Sequence, residues 1–150
     1  MAGPNYWGKV IRWDVGQTAK QQRTIKVVIA DDHDTIRRLV CEMLEGNGRF
    51  EVCGEAADGA QAIQVCEIMN PDVLVLNISM PVMSGLVAAR ELRNRMPQLA
   101  IVILSSFADN AFVQELKTIG VQTFVSKGQA SGALVRAIEA ALAGEECVVL

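Results

Sequence analysis

No run in this 150-residue chain approaches the roughly 18 consecutive apolar residues that a membrane-spanning helix needs, and the opening MAGPNYWGKVIRW lacks the apolar core and cleavage site of a secretory leader. A cytoplasmic protein is expected, with no membrane partner. The four cysteines, Cys41, Cys53, Cys66 and Cys147, show no C-x-x-C spacing, and the first three fall within apolar periodic segments. They read as reduced thiols acting as small hydrophobes rather than as metal ligands. There is one histidine, His33, set among acids, and it reads as a solvated side chain. Excess positive charge is also missing: Lys9, Arg12, Lys20 and Arg23 against Asp14 give residues 1–24 a charge of +3, which leaves −6 for the rest of a chain whose net charge is −3. An acidic body argues against nucleic-acid binding by this domain itself.

What the chain does have is a regular alternation of short β-rich runs with segments of helical period, the pattern of a parallel α/β domain. Ile25–Ala30 is the first such run. Ile36, Leu39, Val40, Met43 and Leu44 then mark one helix face, which Gly46 ends. Phe50–Ala56 gives a second strand, and Asp58-Gly59 leads into a helix over Ala60–Met69. After the run Val73–Leu76, Ser84 is the expected N-cap of a helix carrying Ala88, Leu92 and Met96 on one side. Ile101–Leu104 precedes a fourth helix marked by Phe112, Val113, Leu116 and Ile119. Thr123–Ser126 precedes a fifth, with Ser131 as expected cap, Leu134, Ile138 and Leu142 in line, and Gly144 as stop. Five strands and five helices are expected over residues 25–144. Residues 1–24 hold both tryptophans and a polar QTAKQQR stretch, and read as an N-terminal extension or linker.

Polar residues recur at the ends of the buried-type runs. Asp31-Asp32 closes the first, Asn77 the third, Ser105 the fourth and Lys127 the fifth. Together with the string PDVLVLNISMPVMSG, this order resembles the receiver domain of two-component response regulators, and most closely the NarL/FixJ class with a LuxR-type output domain. The resemblance implies a doubly wound, flavodoxin-like or CheY-like sheet of order 2-1-3-4-5, whose ligands bind beyond the carboxyl ends of the strands at the switch between strands one and three. It also implies roles: Asp31 and Asp32 as metal-site acids, Ser79 as carbonyl donor to Mg²⁺, Ser105 and Lys127 as groups that hold phosphoryl oxygens, and Phe124 as the aromatic coupled to Ser105.

Asn77 departs from that pattern, because the resemblance places the phosphoacceptor aspartate there. A neutral amide is a poor nucleophile and does not form the acyl phosphate an ionised carboxylate forms. Losing a unit charge about 4 Å from a divalent cation forfeits on the order of 8 kcal/mol of gross attraction at an effective dielectric near 20, much of it offset by desolvation and by relieved carboxylate repulsion. Weakened Mg²⁺ binding and no phosphotransfer at Asn77 are expected. An atypical, non-enzymatic pseudo-receiver follows, working in phosphorelay signalling and transcription regulation through a histidine kinase or other regulator protein, or through a homodimer built on helix 4, strand 5 and helix 5.

Two alternatives remain open in the sequence. An ordinary receiver with an engineered Asp-to-Asn change would read the same. Asp32-His33-Asp34 also offers the D-x-D of haloacid dehalogenase-like phosphatases, although Ile36 stands where that family wants Thr or Val. Residues 145–150 read as the start of a linker to a missing output domain, through which alone DNA would be bound. Cys147-Val148-Val149-Leu150 matches a prenylation box by chance, since Glu145 and Glu146 stand where a basic second signal would help.

Overall fold

A computed structural model describes residues 23–106 and 109–150 of the chain. The extension expected over residues 1–24 therefore lies almost wholly outside the described residues. The elements are β1 (Ile25–Ala30), α1 (Asp34–Glu45), β2 (Phe50–Ala56), α2 (Gly59–Met69), β3 (Val73–Leu76), α3 (Gly85–Arg95), β4 (Ala100–Ser105), α4 (Asn110–Thr118), β5 (Thr123–Ser126), α5 (Ala130–Leu142) and β6 (Cys147–Val149). A 3₁₀ turn over Lys127–Gln129 joins β5 to α5.

The strands form one parallel sheet in the order β2-β1-β3-β4-β5-β6. Its first five members are in the expected order. Period-two alternation divides the core: Val27, Ile29, Val73 and Val75 face α1 and α5, while Val28, Ala30, Leu74 and Leu76 face α2, α3 and α4. Both faces are covered, so strands that read as continuous apolar runs are buried along their whole length.

Local signals place the helix starts. The side chain of Asp58 accepts from Gln61 N, that of Ser84 from Val87 N and that of Asp109 from Phe112 N, each satisfying one donor left over in a first turn. Gly144, at φ 73, turns the chain after α5 in the left-handed geometry that glycine adopts without strain.

Three expectations change in detail. Leu39 is 55% exposed, so the buried stripe of α1 narrows to Val40 and Leu44, with Ile36 and Met43 beside it. Ser131 lies inside the first turn of α5, because the 3₁₀ turn moves the helix start back to Ala130 and leaves Gln129 at the cap position. The sheet has six strands rather than five: Cys147–Val149, read as linker, pairs in parallel with β5.

Candidate functional site

The order β2-β1-β3 means that the chain leaves β1 on one side and returns to β3 on the other, opening a crevice beyond the carboxyl ends of these strands. Asp31 N–H donates to Ala56 O (3.0 Å) and Asn77 N–H to Ala30 O (2.9 Å), so the ladder itself carries both residues to the rim.

Asp31 is almost fully buried and has strong partners. Its Oδ2 pairs with Lys127 Nζ at 2.7 Å and its Oδ1 accepts from His33 N at 2.9 Å. The Asp31 carbonyl in turn accepts from a guanidinium nitrogen of Arg37 at 2.7 Å. Arg37 also reaches Asp34 (2.6 Å) and Glu55 (3.1 Å). Partial burial pulls the Arg37 guanidinium down, but hydrogen bonds to the two carboxylates outweigh it and hold the group above its ordinary value. Sequence reading missed this brace, whose one local signal is the i, i+3 spacing of Asp34 and Arg37.

Asn77 lies at the centre, 4% exposed. Its Nδ2 donates to Asp32 Oδ1 at 3.3 Å and to the Ser79 carbonyl at 3.0 Å. Both partners are pure acceptors, so the hydrogen-bond network assigns the NH₂ end of the amide to them. Beneath it, Gly85 N–H donates to Ile78 O at 2.8 Å, and a Cβ on Gly85 would collide with the Asn77 carbonyl oxygen. That close approach of backbone to backbone is a second determinant that sequence reading passed over, although the Ser84-Gly85 helix start marks the place.

Ser105, buried at the end of β4, lines a cavity of 270 Å³ together with Ile78, Ser79, Asp109 and Phe112. Phe124 stands apart from the rim. It is fully buried on β5 in register with Ile103, among the side chains under α3 and α4. His33 is 66% exposed, as a solvated histidine should be, yet its Nδ1 lies 3.3 Å from both Asp31 Oδ1 and Asp32 Oδ1.

Mg²⁺ takes hard oxygen ligands in near-octahedral geometry, and Asp31, Asp32 and the Ser79 carbonyl are of that kind. As the site is arranged, however, an amide NH₂ rather than an oxygen points between Asp32 and Ser79 O. An N–H donor does not ligate a cation, so in this orientation the amide offers no oxygen of its own to an ion held by Asp32 and Ser79.

The family model described as the response regulator receiver domain matches residues 27–139. The chain belongs to that family. This receiver is 32% identical over 123 residues to the transcriptional regulatory protein DegU of Brevibacillus brevis, covering 82% of the chain and 52% of that protein. It is 30% identical over 121 residues to the transcriptional regulatory protein LiaR of Bacillus subtilis, covering 81% and 57%. The chain thus spans about half the length of these two relatives. A protein-glutamate methylesterase/protein-glutamine glutaminase of Clostridium acetobutylicum is 34% identical over 105 residues, which is 30% of its length. Among solved structures, a LuxR-family two-component response regulator from Aurantimonas superposes with a TM-score of 0.78 at 28% identity, covering 85% of this chain and 89% of that one. The signal receiver domain of NarL from Mycobacterium tuberculosis gives 0.77 at 29% identity, covering 82% and 99%. Among the described residues no helix is long and apolar enough to cross a membrane.

Proposed function

We infer that this domain is a receiver that does not take phosphate at Asn77 and passes its signal on through protein contacts. The observation that carries this reading is the amide of Asn77, whose NH₂ donates to Asp32 and to the Ser79 carbonyl. These are the groups that the family resemblance assigns to a bound cation. One neutral donor stands in for a divalent ion, and Lys127 already neutralises Asp31. Asp31, Asp32 and Ser79 are the residues of a weakened Mg²⁺ site, and Ser105, Lys127 and Phe124 those of a phosphate site whose acceptor is absent.

The domain is not an enzyme in this reading. It acts in the cytoplasm on a histidine kinase or another regulator protein, and DNA is reached only through an output domain of the kind its longer relatives suggest. The phosphatase alternative has no support from the family match. Beryllofluoride with Mg²⁺, followed by ¹⁹F NMR, tests the reading: bound resonances are expected in Asn77→Asp and none in the parent chain. Bound resonances in the parent would contradict it.

A further inference from the structure

Arg93, in the last turn of α3, is the exception among the arginines of the domain. Arg37, Arg49, Arg90 and Arg95 each have a carboxylate oxygen within 3.9 Å. Among the described residues Arg23, Arg38, Arg93 and Arg136 have none, and of these Arg93 alone is not exposed. Its Nη1 donates to Pro97 O at 3.0 Å, while its Nε is buried and has no hydrogen-bond partner. Burial holds the guanidinium below its ordinary value, with no acid to offset it. Gly120, at φ 86, leaves room for the Arg93 stem, since a Cβ there would lie 3.4 Å from Arg93 Cδ. A half-buried cation with an orphaned donor is costly unless an anion answers it.

The same side chain lines a cavity of 260 Å³ with Leu99, Gln122, Ala141, Leu142 and Glu145. These residues surround the starts of β4 and β5, and so lie at the opposite end of the parallel sheet from Asn77 and Ser105. We propose that this cavity binds a small monocarboxylate, whose oxygens take the guanidinium of Arg93 and whose aliphatic tail lies against Leu99, Ala141 and Leu142. The charge count selects the class. One cation lines the cavity, and the Glu145 carboxylate beside it disfavours a doubly charged phosphate. Water supplies an acceptor for Nε but no charge, whereas the planar fork of a guanidinium matches a carboxylate. The volume lies at the small end of ligand pockets, which run from about 300 to 1,000 Å³, and this limits the tail to a few carbons. Because the walls come from the ends of α3 and α5 and the starts of β4 and β5, a bound carboxylate ties four elements together. The proposal stands independently of whether Asn77 takes phosphate.

Titration of the intact chain with butyrate, followed by ¹⁵N NMR, tests it, with butyramide as the neutral isostere and inorganic phosphate as the more highly charged anion. Butyrate should move the Arg93 Nε–H resonance and the amides of Gly120 and Gln122 saturably, while those of Ala30 and Asn77 stay in place. Butyramide should move none of them, and phosphate should bind more weakly than butyrate. Arg93→Gln should weaken butyrate binding about tenfold or more, the worth of one charge-assisted hydrogen bond. Glu145→Gln, which removes a like charge at an exposed position, should tighten it. If Arg93→Gln does not fold, Leu142→Trp decides: it fills the cavity from a position that is 40% exposed, and should abolish binding with Arg93 in place. No saturable shift in the parent, butyramide or phosphate bound as well as butyrate, or a folded variant that departs from these expectations would overturn the proposal.

Discussion

The Asn77 amide nitrogen lies 3.3 Å from Asp32 Oδ1, and the same nitrogen donates to Ser79 O at 3.0 Å. Converting Asn77 to Asp replaces both hydrogen bonds by contacts between a carboxylate and acceptor oxygens. Metal-free Asn77→Asp should lose about 1–3 kcal/mol at neutral pH, the cost of leaving buried polar groups unsatisfied. The penalty should shrink on acidification, as the added carboxyl is protonated. Mg²⁺ should restore about 2.7 kcal/mol once it reaches a hundredfold excess over its Kd. Urea unfolding of both proteins with and without Mg²⁺ checks this; equal stability without metal and no gain from it would show that the three acidic positions do not form one site.

Lys127 and Asp31 form the other pair on which the site depends. Both are largely shielded, and the contact is 2.7 Å. Lys127→Met strands a buried carboxylate and should destabilise by about 3 kcal/mol. The double variant Asp31→Asn/Lys127→Met should recover most of that loss. A double-mutant cycle by chemical denaturation that finds the two changes additive would remove the pair from the account.

The strand ends were legible in the sequence because each apolar run stops abruptly at a polar residue, and a parallel sheet buried on both faces permits no other reading of those runs. Asp31 with Lys127, and Asn77 with Asp32 and the Ser79 carbonyl, accordingly lie together at the strand ends. The orientation of the Asn77 amide was not legible, since it depends on which acceptors surround it in space. Nor was the brace from Arg37 to the Asp31 carbonyl, a contact to a backbone atom of another element. The sixth strand escaped because Cys147–Val149 is only three residues long, and so short an apolar run carries no period.

Gly85 is expected to be the least replaceable position near the site. Its Cβ would meet the Asn77 carbonyl oxygen and approach the Ile78 Cα to 2.9 Å, both belonging to backbone that cannot rotate away. Gly85→Ala should cost about 3 kcal/mol or more through overpacking. It should also perturb the Asn77 side-chain amide resonances in a ¹⁵N spectrum; a stable variant with unmoved resonances would contradict the geometry.

The thiol of Cys66, fully buried in α2, is pushed up to about 12 by burial first and then by Cys53 and Glu67 nearby. Cys41 is pushed up to about 11, again mainly by burial. A raised folded-state pKa for a thiol leaves its stabilising contribution intact below the unfolded value of about 8.5. Above that pH the unfolded chain ionises first, so stability falls by about 1.4 kcal/mol per pH unit through Cys66 until its folded pKa is reached, while the partly exposed Cys41 contributes less because solvent screens it. Cys66→Ala should flatten the alkaline slope between pH 9 and about 12 by one group's share, whatever its effect at neutral pH. An unchanged slope would mean that Cys66 ionises alike in both states.

Asn77 stands where the family resemblance places a phosphoacceptor, and we infer that it accepts no phosphate. Intact-mass spectrometry after incubation with acetyl phosphate and Mg²⁺ measures this directly, on the parent chain and on Asn77→Asp side by side. An unchanged mass is expected for the parent and a single labile phosphate on Asn77→Asp. A phosphate on the parent, or none on Asn77→Asp, would contradict it.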